Sequence, residues 1–151
     1  MEEMKPVVFK LDNENYGVDI NLVQGIEKEQ QIVRVPNTVN YIRGIINLRG
    51  EIIPVYDLRA KFGLPQSVSQ ERQYIIVRVK TSKIALEVDG VKEIHDVDVK
   101  DLFNVPPIVI SNDTRYFQKV IKSQDTLIVL INVDYLLSDE ELEKIDEMVK
   151  Q

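Results

Sequence analysis

One continuous stretch, residues 41–63 (YIRGIINLRGEIIPVYDLRAKFG), limits the possible folds more than any other part of the chain. Two apolar runs rich in β-branched residues, Ile42–Leu48 and Ile52–Tyr56, meet at Arg49-Gly50, where glycine permits a positive φ. This pattern predicts a β-hairpin. Because neither run alternates cleanly between apolar and polar residues, both strands are expected to be covered by protein on both faces.

The polar residues of this stretch have separate predicted roles. Asp57 is placed to cap a short helix, Leu58–Phe62, that Gly63 ends. Asn47 is predicted to hydrogen-bond the turn. Arg49 at the turn has two interpretations from its residue type alone, a solvated turn residue or a planar charged anchor at a partner contact.

The composition excludes several classes of protein. The 151 residues include no cysteine, which excludes disulfides, thiolate metal sites and a cysteine nucleophile. The formal net charge of −6 disfavours binding to nucleic acid or to an anionic membrane, since both need clustered cations. The N-terminal residues do not resemble a signal peptide, and no apolar window is long enough to span a bilayer. A soluble cytoplasmic protein is therefore expected.

The rest of the chain is predicted to be mainly β, with one helix at its end. Ser138 and Glu141 form a capping box, and an apolar stripe at helical spacing follows, so residues 138–150 should form an amphipathic helix. That stripe comprises Leu142, Ile145, Met148 and Val149. Asn21 is a candidate cap for a short turn. The further predicted strands are Val7–Leu11, Tyr16–Ile20, Ile32–Val35, Tyr74–Lys80, Ile84–Val88, Val91–Ile94, Tyr116–Ile121 and Leu127–Ile131.

A faint internal repeat organises these strands. Val23 and Ile26 follow the first hairpin, Val91 and Ile94 follow a later hairpin, and one common offset along the chain relates both pairs. Two copies of a five-strand unit would form two small β-barrels or rolls that close their own edges. The four aliphatic residues are expected in the core, and any that are exposed would line an apolar groove between the units.

The residues needed for catalysis or metal binding are not arranged for either. His95 is the single histidine and lies in an acidic run, and a zinc site would need further ligands. Asp96, Asp98 and Asp101 lack the later glycine and glutamate of a calcium loop. No catalytic residue, metal or cofactor is therefore predicted. A small-ligand-binding or enzymatic β-barrel remains the alternative from another functional class.

The segment IRGIINLRGEIIPVYDLR resembles the signature of the bacterial CheW-like family of chemotaxis coupling proteins. Further similarity follows in family order along nearly the whole chain. It is carried by Phe9-x-Leu11, Tyr16-Gly17-Val18-Asp19-Ile20, Val88-Asp89-Gly90-Val91 and the segment from Leu127 to Leu137.

The resemblance implies two five-stranded SH3-like β-barrels packed together, with a C-terminal α-helix. The first barrel would span roughly residues 15–70 and the second roughly 75–131, with terminal segments exchanging between them. The implied function is a non-catalytic adaptor between methyl-accepting chemotaxis receptors and the regulatory domain of the histidine kinase CheA, monomeric when free and associated with receptor arrays. The alternative is a CheW-like regulatory module of a CheA-type kinase or a CheV-type protein, although the chain ends close to where a stand-alone adaptor should stop.

The resemblance also implies contact residues. Receptor binding is expected at Val23, Gly44, Arg49, Val88 and Val91. Kinase binding is expected at Pro36, Tyr41, Ile42, Ile45 and Gly50.

Three residues depart from the family pattern. Gly25 replaces a frequent acidic residue that is a plausible partner for Arg49, which is therefore expected to be unpaired. Glu87 replaces an aliphatic residue, and Lys119 replaces a common glycine.

Overall fold

Thirteen β-strands and two α-helices make up the part of the chain that the computed structural model describes, residues 3–28, 30–35, 40–65, 71–94, 96–106, 115–123 and 125–149. The strands of the first half are β1 (Glu3–Met4), β2 (Pro6–Leu11), β3 (Glu14–Asp19), β4 (Val23–Glu27), β5 (Ile42–Leu48) and β6 (Glu51–Asp57). Those of the second half are β7 (Gln73–Val79), β8 (Ser82–Val88), β9 (Gly90–Ile94), β10 (Val97–Asp98), β11 (Leu102–Asn104), β12 (Phe117–Ser123) and β13 (Thr126–Ile131). The helices are α1 (Leu58–Lys61) and α2 (Asp139–Val149).

The strands form two main sheets. A six-stranded sheet has the order β11-β12-β13-β3-β2-β9, and a five-stranded sheet has the order β4-β7-β8-β6-β5. The short strands β1 and β10 pair separately. The predicted mainly β fold with a C-terminal helix is confirmed.

The repeat in the sequence appears as an exchange of strands between the sheets. The hairpin β2–β3 joins strands of the second half, and the hairpin β7–β8 joins strands of the first half. The pairing of β4 with β7 has the same register as the pairing of β9 with β2. Val23 of β4 pairs with Val77 of β7, and Val91 of β9 pairs with Phe9 of β2. The step along the chain from Val23 to Val91 equals the step from Phe9 to Val77, so the two pairings are equivalent. Neither half of the chain builds a sheet by itself.

A second equivalence relates the hairpins β5–β6 and β12–β13. Ile42 pairs with Tyr56, and Phe117 pairs with Ile131. The step along the chain from Ile42 to Phe117 equals the step from Tyr56 to Ile131, so the two pairs are equivalent. Each hairpin has a bulge immediately after its first pair, at Arg43 and at Gln118. Each then joins its sheet through a parallel pair, β6 with β8 and β13 with β3.

Three apolar clusters explain why the strands show little alternation. A shared core lies between the sheets and takes one face of each exchanged hairpin, including Phe9, Val77 and Leu86. The opposite faces of these hairpins contribute to a smaller cluster within each sheet, through Ile76 and Ala85 in one and Val8 in the other. Strands buried on both faces need apolar residues at successive positions, as the sequence indicated.

The helix caps follow the local sequence. Asp57 accepts a hydrogen bond from the backbone N–H of Ala60 at 3.1 Å, and Gly63 follows with a φ of +73°. In α2, Ser138 Oγ accepts from the N–H of Glu141 at 3.1 Å, and Glu141 Oε1 accepts from the N–H of Ser138 at 3.0 Å. The predicted capping box is therefore confirmed. Leu142 and Ile145 of α2 are buried in the shared core.

Two local predictions were wrong. Ile32–Val35 is not a strand, since Val33 alone among these residues forms an isolated bridge, to Ile45. Its equivalent in the other half is the full strand β11, which is why one sheet has six strands instead of five. The short 3-10 turn Ile20–Leu22 is capped by Asp19, not by Asn21, whose N–H donates to the Asp19 carboxylate.

Candidate protein-interaction surface

The turn between β5 and β6, Arg49-Gly50, is hereafter called the tip. Both residues have positive φ values, 52° and 85°, as a two-residue type I′ hairpin requires. The side chain of Asn47 accepts a hydrogen bond from the Gly50 N–H at 3.0 Å, which confirms its predicted role in the turn. The tip is therefore a defined structure that presents Arg49 to solvent.

Arg49 is paired, contrary to the expectation drawn from Gly25. Its Nη2 lies 3.3 Å from Glu27 Oε1. The Arg49 side chain is 79% exposed to solvent, and the Glu27 side chain is 19% exposed. A Cβ on Gly25 would approach only the Glu27 carboxylate, at 3.8 Å. Glu27, two residues further along β4, thus supplies the anion that the family motif places at residue 25.

Gly44 is constrained by the backbone of the segment beside it. A Cβ at this position would lie 2.3 Å from the carbonyl oxygen of Val33, closer than any real contact. This same carbonyl accepts a hydrogen bond from the N–H of Ile45 at 2.9 Å. Gly44 is buried and therefore allows residues 32–33 to cover the strand.

The other expected receptor residues occupy two different environments. Val23 and Val91 are partly buried and pack against the shared core from β4 and β9, the outer strands of the two sheets. Gln73 Oε1 accepts a hydrogen bond from the Val91 N–H at 2.7 Å. Val88 is 0% exposed and belongs to the core. Ile26, expected in the core, is exposed.

The expected kinase residues are likewise divided between surface and core. Tyr41 and Gly50 are exposed and Ile45 is half-buried, whereas Ile42 is buried in the shared core. Pro36 lies outside the described residues. The Lys61 ammonium lies 5.2 Å from the centroid of the Tyr41 ring and steadies this side chain through a cation–π contact.

Two apolar side chains that the sequence did not single out extend this surface. Val33 is 57% exposed opposite Ile45, and Ile52 is exposed opposite Asn47. The exposure of Ile52 differs from the prediction that both faces of this strand are covered, because its neighbour Ile53 points to the opposite face and takes the buried position. Val33, Ile45 and Ile52 with the tip form what is hereafter called the hairpin surface.

A buried polar cluster in the five-stranded sheet was also missed. The Tyr74 hydroxyl donates to Glu87 Oε2 at 3.0 Å, and the Arg43 guanidinium forms an ion pair with the same oxygen. Burial, followed by the nearby Glu87 carboxylate, raises the pKa of Tyr74 to about 12. Burial by itself lowers the pKa of Arg43, but Glu87 outweighs it and the net pKa is raised. The visible signal was a glutamate inside the apolar run of β8.

A second missed network joins two of the matched motifs. Arg59 of α1 is buried, and its guanidinium lies 2.6 Å from Asp89 Oδ2 and 2.7 Å from Asp12 Oδ1. It also donates to the carbonyl of Pro65. These contacts fix α1 to the turn between β2 and β3, through Asp12, and to the end of β8, through Asp89. An open cavity of about 520 Å³ beside this network is lined by Asp12 and Asp89, which Arg59 already engages.

Potential metal ligands do not cluster in the described residues. These residues contain no group of three or more histidine, cysteine, aspartate or glutamate side chains that could hold a metal ion. His95 lies outside them. Within the same ranges, no helix has the length and apolar character that crossing a membrane requires.

Comparison with known proteins gives a consistent result. The family model for the CheW-like domain matches residues 5–141. A chemotaxis protein CheW from Klebsiella aerogenes is 32% identical over 146 residues, covering 95% of this chain and 87% of the relative. The Bacillus subtilis chemotaxis protein CheW is 29% identical over 137 residues, covering 90% of this chain and 88% of that protein.

A solved structure agrees with these relatives. The crystal structure of the scaffolding protein TtCheW from Thermoanaerobacter tengcongensis superposes with a TM-score of 0.83 at 36% sequence identity. The match covers 93% of this chain and 96% of that one.

Proposed function

The chain belongs to the CheW-like domain family, and we propose that it is a non-catalytic adaptor that couples methyl-accepting chemotaxis receptors to the histidine kinase CheA within receptor arrays. The observation that carries the proposal is the family match over residues 5–141. It is supported by relatives named chemotaxis proteins and by a structural neighbour described as a scaffolding protein, each matched over most of its length.

The hairpin surface is the proposed contact for the kinase regulatory domain. It combines exposed aliphatic side chains, Val33 and Ile52, with the half-buried Ile45 and a type I′ turn. Exposed apolar side chains beside an arginine are typical of the centre of a protein interface. Because the hairpin is packed on its other face, a partner could dock here without reorganising the fold.

The proposed receptor contact uses Arg49 together with the partly buried Val23 and Val91. These two valines occupy equivalent positions in β4 and β9, one in each sheet, and both border the shared core. We therefore place the receptor where the two halves of the fold meet. Two subdomains, roughly residues 15–70 and 75–131 with exchanged segments, are part of this proposal.

Binding of the purified wild-type chain tests the proposed function. Isothermal titration should show saturable binding to a CheA-type regulatory domain, and a receptor cytoplasmic fragment should join the complex in a pull-down. Ile52→Asp should weaken kinase binding, whereas Glu143→Gln on the solvent side of α2 should leave it unchanged. Absence of binding to both partners would refute the adaptor function, and catalytic turnover or tight small-ligand binding would favour the alternative class.

A further inference from the structure

A row of side chains crosses one face of the five-stranded sheet, from its outer strand β4 inward. Glu27 lies directly opposite Tyr74 of β7, and Tyr74 lies directly opposite Glu87 of β8. Directly opposite residues in antiparallel strands point to the same face, so these three side chains are neighbours. Glu27, Tyr74 and Glu87 are hereafter called the carboxylate row.

Both carboxylates of this row are engaged by arginines from one hairpin. Glu27 pairs with Arg49 of the tip, and Glu87 pairs with Arg43 at the bulge of β5. The two arginines therefore bracket β5 along its length. The strands that hold the glutamates, β4 and β8, are not neighbours of β5 in the sheet order.

The position of β5 explains why such contacts would matter. It is the outermost strand, and within the described residues it pairs along its length with β6 and receives one bridge on its other side, from Val33. A strand at a sheet edge has few backbone partners to fix it. The ion pairs add two attachments that backbone pairing cannot supply, at the bulge and at the tip.

The burial of Glu87 makes this arrangement costly unless it is fully paired. Glu87 is 4% exposed and Tyr74 is 3% exposed, and both lie at an otherwise apolar cluster. A carboxylate in this setting needs both the Arg43 ion pair and the Tyr74 hydrogen bond to offset its desolvation. By the repeat that relates β4 to β9, the positions equivalent to Glu87 and Tyr74 in the other sheet are Asp19 and Pro6, which cannot form the same cluster.

We propose that Glu27 and Glu87 are positioning residues that hold β5 from two sides and thereby orient the tip for partner contact. This proposal rests on the proposed adaptor function. Arg49 held by Glu27 loses less conformational freedom on binding than a free arginine would lose.

Hydrogen exchange and binding, measured on the same set of full-length variants, test the proposal. The set is Glu27→Gln, Glu87→Gln and the milder Tyr74→Phe, which keeps both carboxylates, with Glu143→Gln of α2 as the matched charge control. In Glu87→Gln, the Ile45 amide should exchange about tenfold faster or more, as expected for loss of a buried charged hydrogen bond. In Glu27→Gln, the Gly50 amide should exchange about threefold faster. Tyr74→Phe should accelerate the β5 amides less than Glu87→Gln does.

The location of the change separates positioning from a general structural role. Ile145 in α2 should keep its wild-type exchange rate in all variants, and affinity for the kinase regulatory domain should fall about threefold in both glutamate variants. Equal acceleration in α2 and β5, or unchanged β5 exchange in Glu87→Gln and Tyr74→Phe, would overturn the proposal. If the wild type bound no partner, the adaptor function would fail, while the exchange data would still decide whether these glutamates hold β5.

Discussion

The hairpins β5–β6 and β12–β13 share a backbone but differ in chemistry. Both bulge after their first pair, and both receive the same hydrogen bond at the start, from Asp57 N–H to the Tyr41 carbonyl at 2.8 Å and from Asn132 N–H to the Tyr116 carbonyl at 2.7 Å. Each then leads into a short helical turn capped by that residue.

Two of the side-chain differences show how the chemistry changes. Gly44 lies beneath Val33, whereas the equivalent Lys119 hydrogen-bonds the side chain of Asn104. Arg59 is buried between two aspartates, whereas the equivalent Asp134 is exposed. Repeated backbone pairing thus follows from the apolar pattern that both halves share. The surfaces of the two hairpins differ at these positions because one has a glycine where the other has a lysine, and an arginine where the other has an aspartate.

The largest predicted contrast is between Arg59 and Asp134. Arg59→Ala removes the buried guanidinium that pairs with the Asp89 carboxylate. Because breaking a buried ion pair leaves a charge without its partner, the free energy of unfolding should fall by about 3 kcal/mol or more. Asp134→Ala, at the equivalent exposed position, should change it by less than about 0.5 kcal/mol. Urea denaturation measures both, and similar losses would remove the distinction between the two turns.

Gly44 and Lys119 should differ by a smaller amount. Gly44→Ala places a methyl group against the Val33 carbonyl and should cost about 1–3 kcal/mol of unfolding free energy, because backbone must move. Lys119→Ala should be nearly neutral. A Gly44→Ala variant as stable as the wild type would show that residues 32–33 are not held against β5.

The two exposed aliphatic residues at the hairpin turns test whether the surfaces differ in binding. Ile52 and Leu127 are equivalent and both exposed. Ile52→Asp should weaken binding to the kinase regulatory domain about tenfold, as expected at the centre of an interface. Leu127→Asp should weaken it less. A larger effect at Leu127, measured by titration calorimetry, would move the proposed kinase contact to the other sheet.

The cluster around Tyr74 predicts a small pH effect on the stability of the protein. Its pKa is raised to about 12 from the ordinary value of 10.0, so the folded state favours the neutral hydroxyl. This contribution is complete below pH 10 and is lost as the pH rises toward 12. At about pH 11 the loss from this hydroxyl should be roughly 1 kcal/mol, so the decline in stability should be smaller by that amount in Tyr74→Phe. An identical decline in both proteins would contradict the raised pKa.

The extent to which sequence predicted this molecule depended on the range of each interaction. The tip, the Asp57 cap and the capping box of α2 were predictable, because their partners lie close together in the chain. The Glu27–Arg49 pair was not, because it requires knowing that β4 and β5 are the two edges of one sheet. Arg59 and Asp89 both lie in matched motifs, yet only the exchanged topology shows that they meet. The burial of Val88 and Ile42 likewise became visible only in the fold, because the resemblance does not say which matched residues are exposed.

Assembly with Arg49 reversed tests the adaptor account most directly. Wild type, Arg49→Glu and the matched control Arg78→Glu, whose side chain is exposed on β7, would be compared for ternary assembly with a CheA-type regulatory domain and a receptor fragment. The account predicts that Arg49→Glu weakens assembly about tenfold or more while its thermal melt stays near that of the wild type, and that Arg78→Glu assembles normally. Normal assembly of Arg49→Glu, or a melt lowered enough to explain its loss, would contradict the role of the tip in partner recognition.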